Sequence, residues 1–444
     1  MKTEIKLSDH FTTGRLLRFS LSPIVMMVFS SVYGVVDGFF VSNFAGKTAL
    51  AAVNLIYPFV MMLSTVGFMF GAGGSALVAK TLGEGDRPRA NRLFSLFVYV
   101  PFLMGVAFAV AGILLARPVA AIFGAEGALL DASVTYGRIL LAALPAFILQ
   151  LEFQTFFVTA EKPKLGLAFT VGAGVTNMVL DALFVAVLGW GLVGAAVATA
   201  LSEVVGGFGP LWYFFRKNSS ILRLGKTKLD ISAIAKAMGN GSSELMSNVS
   251  MSLVSMLYNA RLMAYAGEDG VAAYGVLMYV NFVFISAFIG YTIGMSPIVG
   301  YHYGAGNRGE LANLRRRSLG IILVTSAAML AAALLLAHPL SLIFVGYDGE
   351  LLAMTERGFL IFSFSYLFAG LAIFGSAFFT ALNNGLVSAV MSFLRTLVFQ
   401  VAAVLLLPLW LGLDGVWLSI VVAELFAALV TVLCLLLYRE RYGY

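Results

Sequence analysis

Long apolar runs alternate with short polar connectors along the whole chain. Twelve runs reach the ~20 largely apolar residues that a bilayer core requires. They fall at 16–41, 50–79, 92–116, 134–158, 164–188, 191–215, 238–266, 271–300, 315–337, 357–381, 385–409 and 413–437. Each predicts a helix, because a segment crossing hydrocarbon must satisfy its backbone hydrogen bonds internally. Runs two, seven and eight exceed a simple crossing and predict tilt or extension beyond the bilayer. The polar, basic stretch 216–237 separates six runs from six. The predicted fold is an all-α integral membrane protein: twelve transmembrane helices in two pseudo-symmetric six-helix bundles, with lobes at 1–215 and 238–444 and a linker at 216–237.

The two halves repeat each other. Gly83-Glu84-Gly85-Asp86 precedes Gly304-Ala305-Gly306-Asn307 by 221 residues. The same interval pairs Ala45-Gly46 with Ala266-Gly267, Thr159-Ala160 with Thr380-Ala381, Gly191 with Gly412, and Glu203 with Glu424. Six spans per half make the repeats parallel, related by an axis along the membrane normal, which is a transporter arrangement.

Composition narrows the class. Hydrophobic residues make up 60% and charged residues 11% of the 444, against ~25% charged in soluble domains. A net charge of +6 would suggest nucleic acid in a soluble protein. Here 22 of the 28 Lys and Arg fall at the N-terminus (Lys2, Lys6, Arg15, Arg18), the C-terminus and the even-numbered connectors, the linker included. Lys47, Arg117, Arg138 and Arg357 lie on the opposite side, beside Glu126, Asp131, Glu268, Asp269, Asp348 and Glu350. The positive-inside rule therefore puts both termini in the cytoplasm. The N-terminus has no signal-peptide pattern. One cysteine, Cys434, and three scattered histidines offer neither an internal disulfide nor a His/Cys metal cluster. There is no GxxxxGK[ST] phosphate loop and no enzyme signature, so no cofactor and no enzymatic activity are expected.

The candidate chemistry lies in acids that cost at least ~2.5–3.5 kcal/mol to bury in a membrane. Asp181 has no Lys or Arg within sixteen residues, and Asn177 lies one helical turn before it. Tyr33 with Asp37 and Thr199 with Glu203 form the same i, i+4 pairs. At the 221 interval Asp37, Asn177, Asp181 and Thr199 meet Tyr258, Val398, Ala402 and Ile420, so these polar groups belong to the first half alone. Two carboxylates in low dielectric cannot both ionise cheaply. Such a pair can take up a proton or hold Na⁺ through carboxylate, amide and hydroxyl oxygens, and either event could drive a change of shape. Asn177 and Thr199 serve equally well as local structural hydrogen-bond partners. Glu152, Glu203, Glu244, Asn248, Asn259, Glu424 and Arg395 are further candidates for cavity lining or proton relay. Arg395 has no acid nearby in sequence and needs a partner on another helix. Pro23 is a candidate bend in the helix that carries Asp37.

These residues resemble a known family. Tyr33-Gly-Val-Val-Asp37, Asn177 with Asp181, Gly194-Ala-Ala-Val-Ala-Thr199, Thr159-Ala-Glu-Lys-Pro163 and Met295-Ser-Pro-Ile-Val-Gly-Tyr-His-Tyr-Gly-Ala-Gly-Asn307 are similar to motifs of the multidrug and toxic compound extrusion (MATE) transporters, closest to the DinF-like and related drug-efflux branches. The resemblance implies two lobes that alternate access and a cation site at Asp37, Asn177, Asp181 and Thr199. It also implies bending at Pro23. The expected function is cation-coupled (H⁺ or Na⁺) antiport that exports amphipathic, cationic small molecules from a bacterial cytoplasmic membrane, by a monomer in contact with lipids and not nucleic acid. The alternative is a flippase for a lipid-linked or polysaccharide precursor.

Overall fold

The structure, a computed structural model, describes residues 5–444 and all their side chains except those of Ser42 and Lys47. Lys2, counted above among the basic residues, lies outside the described residues. Span one is Thr13–Phe40, closed by a π-helical turn, Val41–Ala45. Span two is Lys47–Met69, the π-helical turn Phe70–Gly74 and Ser75–Gly83. Spans three, four and six are Arg87–Ile122, Gly127–Thr159 and Gly191–Phe215. Span five is Pro163–Asp181 followed by the π-helical turn Ala182–Val187.

In the second half one helical stretch, Ser242–Gly304, holds two spans. Its 63 residues would measure ~95 Å at 1.5 Å per residue, about three bilayer cores. Gly267, with φ of 64°, breaks it, and the chain turns back so that Tyr274 stacks on Tyr258 with ring centres 5.3 Å apart. Gly46, its counterpart, has φ of 91° between spans one and two. Span nine is Arg308–Val345. Span ten is Gly349–Ser363 and Tyr366–Ala381, bent by 50°. Span eleven covers Gly385–Leu411, and span twelve is Leu413–Leu437. With span ten counted as one bent crossing and the long stretch as two, the twelve expected spans are present. The linker is not all loop. It ends in a helix, Ile231–Asn240, which tucks under span two, where a Cβ on Gly73 would meet the Ala237 carbonyl at 2.0 Å. Span seven therefore starts at Ser242, not at 238.

The repeated Gly-x-Gly-Asp/Asn motif has a local cause. Gly85 and Gly306 take positive φ, 84° and 67°. The next residue then caps a helix: Asp86 accepts from the Arg89 amide and Asn307 from the Glu310 amide. The interval does not stay at 221, however. Helix starts at Gly127 and Gly349, and at Pro163 and Gly385, are 222 apart, before Gly191 and Gly412 restore 221. At the longer interval the partners of Asn177 and Asp181 are Phe399 and Ala403; these are also apolar, so the contrast between the halves holds.

The core shows how the lobes meet. On the face that carries the termini and most basic residues, one buried cluster draws on both lobes, with Phe19, Phe94 and Phe153 beside Met295, Ile298 and Phe378. Toward the other face it splits. Val60, Tyr136 and Leu144 pack within the first lobe, and Leu277, Phe359 and Trp417 within the second. The lobes are thus sealed on the basic face and separate beyond it. The seal is reciprocal. A Cβ on Gly83 would lie 1.9 Å from the Tyr301 carbonyl, and one on Gly304 would lie 1.9 Å from the Lys80 carbonyl. Both pairs are equivalent by the repeat, the self-complementary contact of a two-fold interface. Gly294 against Ser20 and Gly290 against Pro23 and Ile24 continue the seam, where small residues permit close backbone approach.

The N-terminal segment bridges the same face. Leu7 donates its amide to Glu161 of the first lobe (2.6 Å), and Phe11 donates to Glu310 of the second (2.9 Å). Both apolar side chains are fully buried. The Glu310 carboxylate also accepts from Asn313 and pairs with His10.

Gly83→Val should wedge the seam open, at an overpacking cost of about 1–3 kcal/mol. In a Cys434→Ser background, Ser20→Cys, buried in the intact seam, should then become reactive to a polar maleimide from the basic face. Unchanged protection would show that this contact does not seal the lobes.

Candidate cation site in the first lobe

Three helices supply the site. Asp37 precedes the π-helical turn of span one by one helical turn, and Asp181 directly precedes that of span five. A π-helical turn interrupts the regular backbone ladder and often marks a functional position. Asn177, one turn before Asp181, donates its amide to the Thr199 hydroxyl of span six at 3.3 Å. Asp37 is half-buried, while Asn177 and Asp181 are 1% and 0% exposed. The Asp37 carboxyl faces both Asp181 and Asn177. The four residues singled out in the sequence therefore do come together.

What sets the group apart is missing donors. Asp37 Oδ1, both Asp181 carboxylate oxygens and Asn177 Oδ1 are buried without a hydrogen-bond partner. Buried polar atoms are nearly always satisfied, so orphans in a cluster call for an explanation. All of these are oxygen acceptors. They suit a shared proton or a hard, oxygen-seeking cation. Among the described residues no three of His, Cys, Asp and Glu gather into a metal-holding group, so any ion here would rest on two carboxylates with amide and hydroxyl oxygens.

Tyr33 and Glu203 border the pair. Tyr33 reaches Gln150 of span four, and Glu203 faces Asp37 and Tyr33. Tyr57 of span two and Tyr136 of span four complete the surround. Sequence reasoning missed Tyr57, Tyr136 and Gln150. Only Gln150 gave a signal, as a polar side chain two residues from Glu152 in an apolar run. Gly206 leaves room for it, since a Cβ there would stand 2.6 Å from the Gln150 amide carbon.

The remaining candidates lie elsewhere. Glu152 is fully buried with both carboxylate oxygens unpartnered, beside Gly71 of span two. Glu244 sits in the first turn of span seven, and Asn248 donates to its backbone carbonyl, a bond within the helix. Asn259 is half-buried further along that span. Pro23 is buried at the seam.

The second lobe fills the matching space differently. Tyr258, the counterpart of Asp37, donates to Gln400 at 3.0 Å. Arg395 finds its partner on span twelve: Nε and Nη2 grip the two oxygens of Glu424 at 2.9–3.1 Å. The recurrent glutamates thus part company, Glu424 in a two-pronged ion pair and Glu203 with Oε2 buried and unpartnered.

The MatE family model matches this chain twice, at residues 23–183 and 245–405. Together these matches cover well over half the chain, once per lobe, and the chain belongs to the MatE family. The multidrug export protein MepA of Staphylococcus saprophyticus is 24% identical over 434 residues, 96% of this chain and 94% of that protein. Among solved structures, a MATE protein bound to MaL6 superimposes with a TM-score of 0.93 at 23% identity, covering 100% of this chain and 99% of that one. A multidrug resistance MATE family transporter of the MOP superfamily in its outward-facing conformation gives 0.92 at 23% identity, covering 100% and 98%. These likenesses establish the fold as that of a MATE transporter.

Arg395→Leu should destabilise the second lobe by about 3–5 kcal/mol, because it strands the buried Glu424 carboxylate, whereas Arg395→Leu with Glu424→Leu should recover most of the loss. Thermal unfolding in detergent of both variants checks this. Equal loss in the double variant would mean that packing and not charge dominates.

Proposed function

We propose that the protein is a cation-coupled antiporter that exports amphipathic, cationic compounds by alternating access, with Asp37, Asn177, Asp181 and Thr199 as the coupling site. One observation carries the reading: Asp37 Oδ1 and both Asp181 carboxylate oxygens are buried without a hydrogen-bond partner or counter-charge in one lobe, and no acid stands in the matching places of the other. A proton or Na⁺ entering between Asp37 and Asp181 removes their repulsion. The π-helical turns beside both acids and Pro23 in span one are where the helices would change shape in response. Loss of the ion would restore the repulsion and favour the other shape, which ties the gradient to the movement.

By the positive-inside rule the sealed, basic face is cytoplasmic, and the termini with it. The state described here then opens outward, as would suit release of substrate and uptake of an ion from outside a bacterial cytoplasmic membrane. Acidic walls favour cationic substrates. The relatives described as multidrug export proteins and the DinF-like motifs support the same class. All coupling groups lie in one chain, so a monomer suffices. The flippase alternative gains no support. It needs free basic groups in the cleft, and Arg395 is tied to Glu424.

In proteoliposomes with imposed proton and sodium gradients, Asp37→Asn and Asp181→Asn should each lower gradient-driven efflux of a cationic dye about 5- to 150-fold, the range of typical coupling energies. Which gradient drives the wild type identifies the ion. Undiminished efflux in both variants would remove the site. Lipid scrambling without dye movement would revive the flippase.

A further inference from the structure

Glu203, like Glu152, is a buried first-lobe acid that this coupling site does not use, and of the two it is the one facing Asp37. It lies one helical turn beyond Thr199 on span six, 4% exposed, with Oε2 buried and unpartnered. The titratable groups facing it are Asp37 and Tyr33 of span one, Tyr57 of span two and Tyr136 of span four. None is a cation.

The repeat provides a comparison within one molecule. Glu424 stands at the equivalent place on span twelve and is answered by Arg395. The first-lobe positions that correspond to Arg395 are Ala173 and Gly174, depending on which interval applies. Neither can supply a charge. Gly174 cannot even be enlarged freely, because a Cβ there would lie 2.5 Å from the Phe29 ring and 2.9 Å from the Tyr33 ring. The same buried glutamate is thus neutralised from within in one lobe and left open in the other.

A carboxylate ionised and unpaired in such surroundings costs several kcal/mol. Among the described residues Asp37, Asp181 and Glu203 do not close into one metal-holding group, so Glu203 is not built into the Asp37–Asp181 site as a shared ligand. Glu203 needs a positive charge of its own. With no fixed cation available, that charge must come from solution. A carboxyl close enough to a bound cation to feel its charge loses its proton to water when the cation arrives and regains one when it leaves.

We infer that Glu203 carries a second proton in each cycle, separate from the ion at Asp37 and Asp181, so that two positive charges enter for each substrate exported. The inference rests on the coupling site proposed above and deepens it.

The test is the thermodynamic ratio. Proteoliposomes are held at zero membrane potential, and the steady-state dye gradient is measured against imposed pH and sodium gradients. The logarithm of the dye ratio rises with each gradient, and the two slopes add to the number of ions exchanged. The wild type should give a total of about two and Glu203→Gln about one, with the lost unit taken from the pH slope. A wild-type total of about one, with Asp37→Asn uncoupled, overturns the second proton and leaves the coupling site standing. A variant total still at the wild-type value does the same. Should Asp37→Asn remain fully coupled, the coupling site itself fails. If Glu203→Gln does not transport, proton release on dye binding is measured in weakly buffered detergent. Fewer protons released per dye than in the wild type supports the inference, and equal release overturns it.

Discussion

A carboxylate buried in an apolar bundle must find positive charge. The two lobes meet that constraint in opposite ways. In the second lobe Arg395 grips Glu424, and Tyr258 is held neutrally by Gln400. At the place matching the first-lobe acids, charge is thus internally balanced. In the first lobe Asp37, Asp181 and Glu203 have oxygens without donors. The balance there can be completed only from outside. The coupling proposed above draws on this imbalance: it makes the stable shape of the first lobe depend on whether the missing charge is present.

The duplicated frame makes this difference useful. A paired seam of glycines joins the lobes on the basic face, with Gly83 and Gly304 each set against the other lobe's backbone. A common core lies beneath that seam, and separate cores lie beyond it. Each lobe is thus a packed unit, and the junction between them is narrow. The N-terminal segment, anchored on Glu161 and Glu310, spans the same junction. A shape change at span one falls on a helix that also reaches this seam, packing through Pro23 and Ser20 against Gly290 and Gly294. Asp37 and the seal are therefore linked along one helix.

Membership of the MatE family and the whole-chain match to MATE structures fit this division of labour. The family model matches each lobe once, as a duplication would produce. Within the duplicated fold, the two lobes differ in their acids. Glu203 and the Arg395–Glu424 pair occupy equivalent places and have unlike partners, which no feature of the scaffold requires.

Apolar run length and the side on which lysines and arginines cluster are properties of the chain alone, because lipid forces each run to satisfy its own backbone. The twelve spans, the two halves and the isolation of Asp181 were legible for that reason. The repeat also made the first-half bias of the acids legible before any contact was known. Run length did not reveal that the linker ends in a helix, because its ten residues are held by packing under span two. Nor did an ungapped interval disclose the one-residue shift after span three. Partnership was the largest gap. That Arg395 meets Glu424, that Tyr57, Tyr136 and Gln150 surround Asp37, and that Glu203 meets no cation depend on which helices pack side by side. Helix order along the chain does not encode those neighbours, and only the folded arrangement of both lobes decided them.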